Sequence, residues 1–146
     1  MPNFLCKTCG VQYAETPAPP ERCDICEDER QYVGWCGQEW TTLDKLRASH
    51  TNQIRDEEPG LTGIGTLPKF GIGQRALLVR SPGGNFLWDC ISLIDDATIE
   101  AVRNLGGLAA IAISHPHYYS SMVEWSRAFA GNGSRIASQG LLARTP

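Results

Sequence analysis

The chain reads as an α/β protein in two parts: an N-terminal segment that cannot hold itself together unaided, then a layered domain of strands and helices. Three observations predict this. Residues 1–40 combine two closely spaced cysteine pairs with the run Thr16-Pro17-Ala18-Pro19-Pro20. Beyond residue 75, apolar runs of strand length alternate with helical patterns, the order that builds a sheet covered by helices. The 146 residues leave room for one small module and one larger, incomplete domain. Hydrophobic residues outnumber charged ones 42% to 20%, so most of the chain can bury a core.

The elements follow in order. The prolines at 17, 19 and 20 lack donors and restrict their neighbours, so this stretch forms neither helix nor central strand. So little apolar surface requires a cross-link. Thr41 to His50 reads as a short helix, with Thr41 or Thr42 as its cap and Leu43, Leu46 and His50 on one face. Residues 51–74 read as loop, given Glu57-Glu58-Pro59-Gly60 and glycines at 60, 63, 65, 71 and 73. Ala76–Val79 and Phe86–Ile91 flank the turn Ser81–Asn85 as a β-hairpin. Asp96 is placed to cap a helix with Ile99, Val102 and Leu105 on one face, ended by Gly106-Gly107. Leu108 to Ile113 is a continuous apolar run, as in a strand covered on both faces. Ser121-Met122-Val123-Glu124 has capping-box form and opens a helix bearing Met122, Trp125 and Phe129. After Gly131 the tail Arg135–Pro146 has no clear amphipathic period.

Charge and hydropathy exclude some functions. Residues 1–40 hold three basic and seven acidic residues, net −4, which leaves +1 of the total −3 for residues 41–146. This argues against nucleic-acid binding and gives no attraction to an anionic membrane. No run is long and apolar enough to span a bilayer, and the start PNFLCKTCG has no signal-peptide pattern. A reducing cytoplasm is the expected location, where paired cysteines bind metal rather than form disulfides.

Cys6-x2-Cys9 and Cys23-x2-Cys26 are separated by thirteen residues. Each pair puts two thiolates on one tight turn, and two facing turns complete a tetrahedron. Gly10 follows the first pair, where a turn toward the sulfurs needs glycine's freedom. A closed four-thiolate shell makes the metal structural. Zinc is the expected ion, and iron suits the same sulfur set. Residues 1–40 resemble a zinc ribbon of the rubredoxin-like kind. Cys36 and Cys90 are left over. Cys36 in Gly34-Trp35-Cys36-Gly37 is a substitute ligand or, like Cys90, a small packed hydrophobe.

The histidines are His50, His115 and His117. The last two lie in Ser114-His115-Pro116-His117-Tyr118-Tyr119-Ser120, just after the apolar run. On an extended segment, residues i and i+2 point the same way, so the two rings can grip one ion at a strand's C-terminal end. Neither Gly63-x-Gly65 nor Gly71-x-Gly73 precedes a helix, which excludes a dinucleotide fingerprint.

Residues 61–130 resemble the metallo-β-lactamase superfamily of hydrolases. The resemblance rests on the glycine-rich lead-in, the hairpin 76–91, Asp89 after Phe86-Leu87-Trp88, the helix near 97–105 and a strand ending in His-x-His. The family pattern His-x-His-x-Asp-His is met by His115 and His117 and departs at Tyr119 and Ser120. The resemblance implies an αββα fold and a second zinc, or another divalent metal, at His115 and His117. A third ligand would have to come from Asp89, Asp95 or a tyrosine. The expected organisation is a zinc ribbon over 1–40, a connecting helix and linker over 41–60, and a partial metallo-β-lactamase-like domain over 61–146. About 85 residues are few for such a domain. The expected function is a zinc-binding hydrolase homologue of unassigned small-molecule substrate, weakly active or inactive as this chain. The alternative is a non-catalytic interaction module. A half-domain would leave a sheet edge exposed, through which a homodimer can form.

Overall fold

A computed structural model describes residues 1–27, 33–130 and 135–138, the last four by backbone alone. The chain is mixed α/β, with two sheets and three helices among these residues.

The first sheet is built from β1 (Asn3–Cys6), β2 (Gln12–Glu15) and β3 (Trp40–Thr42), in the order β2-β1-β3 and antiparallel throughout. β1 ends on Cys6, and the turn between β1 and β2 carries Cys9 and Gly10. Helix α1 (Leu43–Ser49) follows β3 directly, and Thr42 caps it by accepting from the Lys45 N–H.

The second sheet has six strands in the order β4-β5-β6-β7-β8-β9. These are β4 (Thr51–Glu58), β5 (Leu61–Leu67), β6 (Arg75–Val79), β7 (Phe86–Trp88), β8 (Ala110–Ile113) and β9 (Arg135–Ser138). Pairing is antiparallel from β4 to β7, then parallel from β7 to β8 and from β8 to β9. Each parallel step carries a helix: α2 (Asp96–Asn104) between β7 and β8, and α3 (Met122–Phe129) between β8 and β9.

The core lies on one face of this sheet. Leu78, Leu87 and Ile111 sit side by side in register and are fully buried. Val102 of α2 and Trp125 and Phe129 of α3 join the same cluster. The alternate residues Leu77, Ala110 and Ala112 are only half-buried, and Trp88 is 39% exposed.

Four expectations need correction. Residues 51–74 are not a loop, because β4 and β5 occupy most of them. β4 was hidden by its polar composition: it is an edge strand with alternate residues exposed, so it needs no apolar stripe. The cap of α2 is Asp95, one residue earlier than expected, with its carboxylate accepting from the Thr98 N–H at 2.8 Å. Ser121 precedes α3 but does not cap it through its side chain. Its hydroxyl points into the core instead, 2.7 Å from Ser92 O. The strand β8 is not covered on both faces, since Ala110 and Ala112 are half-exposed. The tail 135–138 forms β9 beside β8, while 139–146 lie outside the described residues. The edges of the large sheet among the described residues are therefore β4 and β9. No helix among them is long and apolar enough to cross a membrane.

Leu87 is the central member of the buried row. Leu87→Ala is expected to cost about 2–5 kcal/mol of unfolding free energy, through lost burial and a residual cavity. Urea denaturation followed by tryptophan fluorescence measures this.

Candidate metal centre

Cys6, Cys9, Cys23 and Cys26 come together as the sequence predicts. Their four Sγ atoms all lie within 4.8 Å of one another, and all four residues are buried. Cys6 and Cys26 Sγ are 3.7 Å apart, and Cys9 and Cys23 Sγ are 3.6 Å apart. Sulfurs about 2.3 Å from one tetrahedral ion stand about 3.8 Å from each other. The donor set thus fits a thiophilic metal ion.

Local backbone geometry aims the sulfurs. The Gly10 N–H donates to Cys6 O at 2.8 Å and the Cys6 N–H to Val11 O at 3.0 Å, which closes the first knuckle. Gly10 sits at φ +82°, a conformation that L side chains rarely adopt. In the second knuckle the Cys26 N–H donates to Cys23 O at 2.9 Å. The small cluster around the sulfurs is completed by Val11, with Tyr13, Ile25, Val33 and Trp40 partly buried against it.

Two residues that the spacing does not reveal donate to the sulfurs. Gln38 Nε2 lies 2.9 Å from Cys6 Sγ, and the Tyr13 hydroxyl donates to Cys23 Sγ at 3.5 Å. Tyr13 is fixed in turn by the Asp24 N–H, which donates to its hydroxyl at 2.9 Å. Both are ligand-orienting groups of the kind that tune a metal site. They come from β2 and from the segment before β3, so no local pattern marks them.

The thiols cannot all ionise without a cation. Hydrogen bonds from Cys23 and then Cys9 favour a thiolate at Cys6 and hold its pKa far below the usual thiol range. Hydrogen bonding to Cys23, then to Cys6, together with burial, holds the proton on Cys9, whose pKa is strongly raised. Burial, and then the charges of Cys6 and Cys23, push Cys26 up to about 12. A bound cation reverses this, because a coordinating thiol is deprotonated outright.

The first knuckle is wired into the large sheet. Gln74 Nε2 donates to Cys9 O at 2.8 Å and to Ser120 Oγ at 2.6 Å. Its Oε1 accepts from the Ser92 N–H at 3.0 Å. Ser92 Oγ lies 2.6 Å from Gly10 O, and the Gln12 N–H donates to Ser120 O at 3.0 Å. Gln74, Ser92 and Ser120 are all buried.

His115 and His117 also come together, though not on an extended segment. Pro116–Tyr118 forms a single 3-10 turn after β8, started by the proline, with His115 as its N-cap. The two rings stack at 4.7 Å with Nδ1 atoms 2.9 Å apart, so one ring donates to the other. The carboxylates expected to assist are engaged elsewhere. Asp89, at φ 63°, accepts from the Ser114 N–H and hydroxyl at 2.8 Å each, and Asp95 caps α2. Among the described residues, the four cysteines form the only group of three or more ligating side chains within bonding reach. Of the leftover cysteines, Cys90 is buried and burial raises its pKa. Cys36 is exposed rather than packed, and it stands outside the cluster.

Fold and site together define a mixed α/β chain with a four-cysteine candidate metal centre docked on its larger sheet. No protein-family model matches the chain. It is 52% identical over 131 residues to "Uncharacterized protein YmaE" of Bacillus subtilis (strain 168). That match takes in 88% of this chain and 48% of the relative, so the chain spans about half the length of the curated protein it resembles.

Cys9→Ser is expected to reduce the bound metal, measured by elemental analysis of purified protein. Because Cys9 and Cys26 hold their protons in the metal-free cluster, metal binding must expel them. Affinity should therefore fall as pH falls, by about tenfold per pH unit for each proton exchanged, in a competition titration with a chromophoric chelator.

Proposed function

We propose that this chain is a zinc-binding homologue of the metallo-β-lactamase-like hydrolases, with a structural four-cysteine zinc and weak or no hydrolysis of its own. The observation that carries the zinc reading is the buried set of four converging sulfurs. Four thiolates fill a zinc coordination shell and leave no position for a reacting water. Iron would fit the same tetrahedron, and elemental analysis separates the two. Free, unbridged cysteines support a reducing, cytoplasmic location.

The hydrolase-like fold is supported by the β7–α2–β8 unit, which delivers Asp89 and the His115/His117 pair to neighbouring strand ends. Weak or absent turnover follows from the ligand count. A hydrolytic zinc takes three protein ligands and a water whose pKa it lowers to about 7. His115 and His117 are two, Tyr119 stands where the family has aspartate, and Ser120 is buried with its hydroxyl bonded to Gln74. The substrate would be a small molecule, of a kind the geometry does not specify.

A second reading, a non-catalytic interaction module, is favoured by Trp35. It stands 97% exposed within the Gly34–Gly37 turn. Tryptophan is among the residue types enriched at the hot spots of protein contacts. A homodimer through a β4 or β9 edge belongs to this reading, and size-exclusion analysis tests it.

Metal analysis of the purified chain is expected to give one ion per chain, with His115→Ala leaving that number unchanged. Any zinc-dependent turnover of ester, lactone or thioester substrates should be slow, and what there is should be lost in His115→Ala. A second equivalent, lost together with turnover in His115→Ala, would replace this reading with that of an active two-centre hydrolase.

A further inference from the structure

The chain contains three lysines, Lys7, Lys45 and Lys69, and all three line one cavity. They come from three separate parts of the fold: the first cysteine knuckle, helix α1 and the segment after β5. The protein as a whole carries −3, so this convergence runs against its overall charge. Two other cavities mix arginine with aspartate or glutamate instead.

The cavity has a volume of 520 Å³, within the range of small-molecule sites. Its base is apolar, made by Leu46 and Phe70, which are 2% and 8% exposed. His50 packs edge-on against Phe70 with ring centres 5.8 Å apart. Ser49 Oγ engages its Nδ1 at 2.7 Å, which leaves Nε2 as the ring atom without a partner among the described residues. Glu39 is the cavity's one carboxylate, and it pairs with Lys7 at 3.4 Å. Lys45 and Lys69 have no acidic partner among the described residues. The lining therefore carries a net +2 before His50 is counted.

We propose that this cavity binds a small phosphate-bearing anion, a phosphomonoester with a compact apolar portion. The charge matches a dianion. Three ammonium groups act as movable point charges around a phosphate, where planar carboxylate recognition would favour the arginine fork. Phe70 and Leu46 offer an apolar base to the remainder of the ligand, and Thr41 adds a hydroxyl to the lining. Neither a cysteine nor a histidine of the His115/His117 pair lines this cavity, so the proposal stands independently of any hydrolytic reading.

Calorimetric titration of the metal-loaded chain at low ionic strength tests this, with inorganic phosphate and glycerol 3-phosphate as probes. Wild type is expected to bind one equivalent, and the Lys45→Gln/Lys69→Gln variant to bind at least tenfold more weakly. Arg127→Ala, exposed and outside the cavity, should bind as wild type does. Both lysines are exposed, so the double variant should keep its thermal midpoint in the absence of ligand. Absence of saturable binding by either probe, or equal binding by the double variant, would overturn the proposal. Tighter binding of succinate than of glycerol 3-phosphate would overturn the phosphate assignment in favour of a dicarboxylate.

Discussion

Four sulfur atoms held within 4.8 Å of one another in a buried site set the conditions for everything around them. Without a cation, such a cluster tolerates only partial ionisation, and neighbouring thiols must serve as donors to one thiolate. With a cation, the same proximity becomes coordination. Residues 1–40 have few other means of cohesion: Leu5 and Val11 are buried there, and the proline run offers no ladder. The β1–β2–β3 sheet is small, and its turn exists to present Cys6 and Cys9. Gln38 and Tyr13 then direct their polar hydrogens at the sulfurs, so the apolar shell and the polar shell both take their shape from the centre.

The larger sheet obeys a different logic. Its cohesion comes from an in-register row of aliphatic side chains and from the aromatic pair Trp125 and Phe129, which close one face. The two regions meet through polar groups. Gln74 uses both ends of its amide, one toward Cys9 O and Ser120, the other toward Ser92. Each of these groups is buried, so each bond that fails leaves a desolvated donor or acceptor. Residues 71 and 10 approach so closely that a side chain on Gly71 would touch the knuckle backbone.

What the sequence made legible follows from which forces act locally. The cysteine centre was readable because metal chemistry demands short, repeated spacings. The hairpin, α2, β8 and α3 were readable because burial imposes periodicity on Leu78, Leu87, Val102, Ile111 and Trp125. β4 and β5 were not. Thr51–Glu58 is polar at the sheet edge, and the glycines of β5 look like loop residues until β5 is seen paired on both sides, with the Glu57 side chain lying over Gly63, where an added side chain would displace it. Ser121 and Gln74 were illegible for a related reason. A serine before a helix looks like a cap, and nothing adjacent to either residue in sequence shows that its partners lie at Ser92, Ile91 and Cys9. The histidine pair was foreseen as a convergence but not as a 3-10 turn, since Pro116 redirects the chain as soon as the strand ends.

The amide of Gln74 also determines how portable the cysteine module is. Grafted onto another scaffold, residues 1–40 would carry their sulfurs with them but would present the carbonyls of Cys9 and Gly10 to a surface never shaped to receive them. The centre is thus less a detachable bead than a keystone, cut to fit one arch.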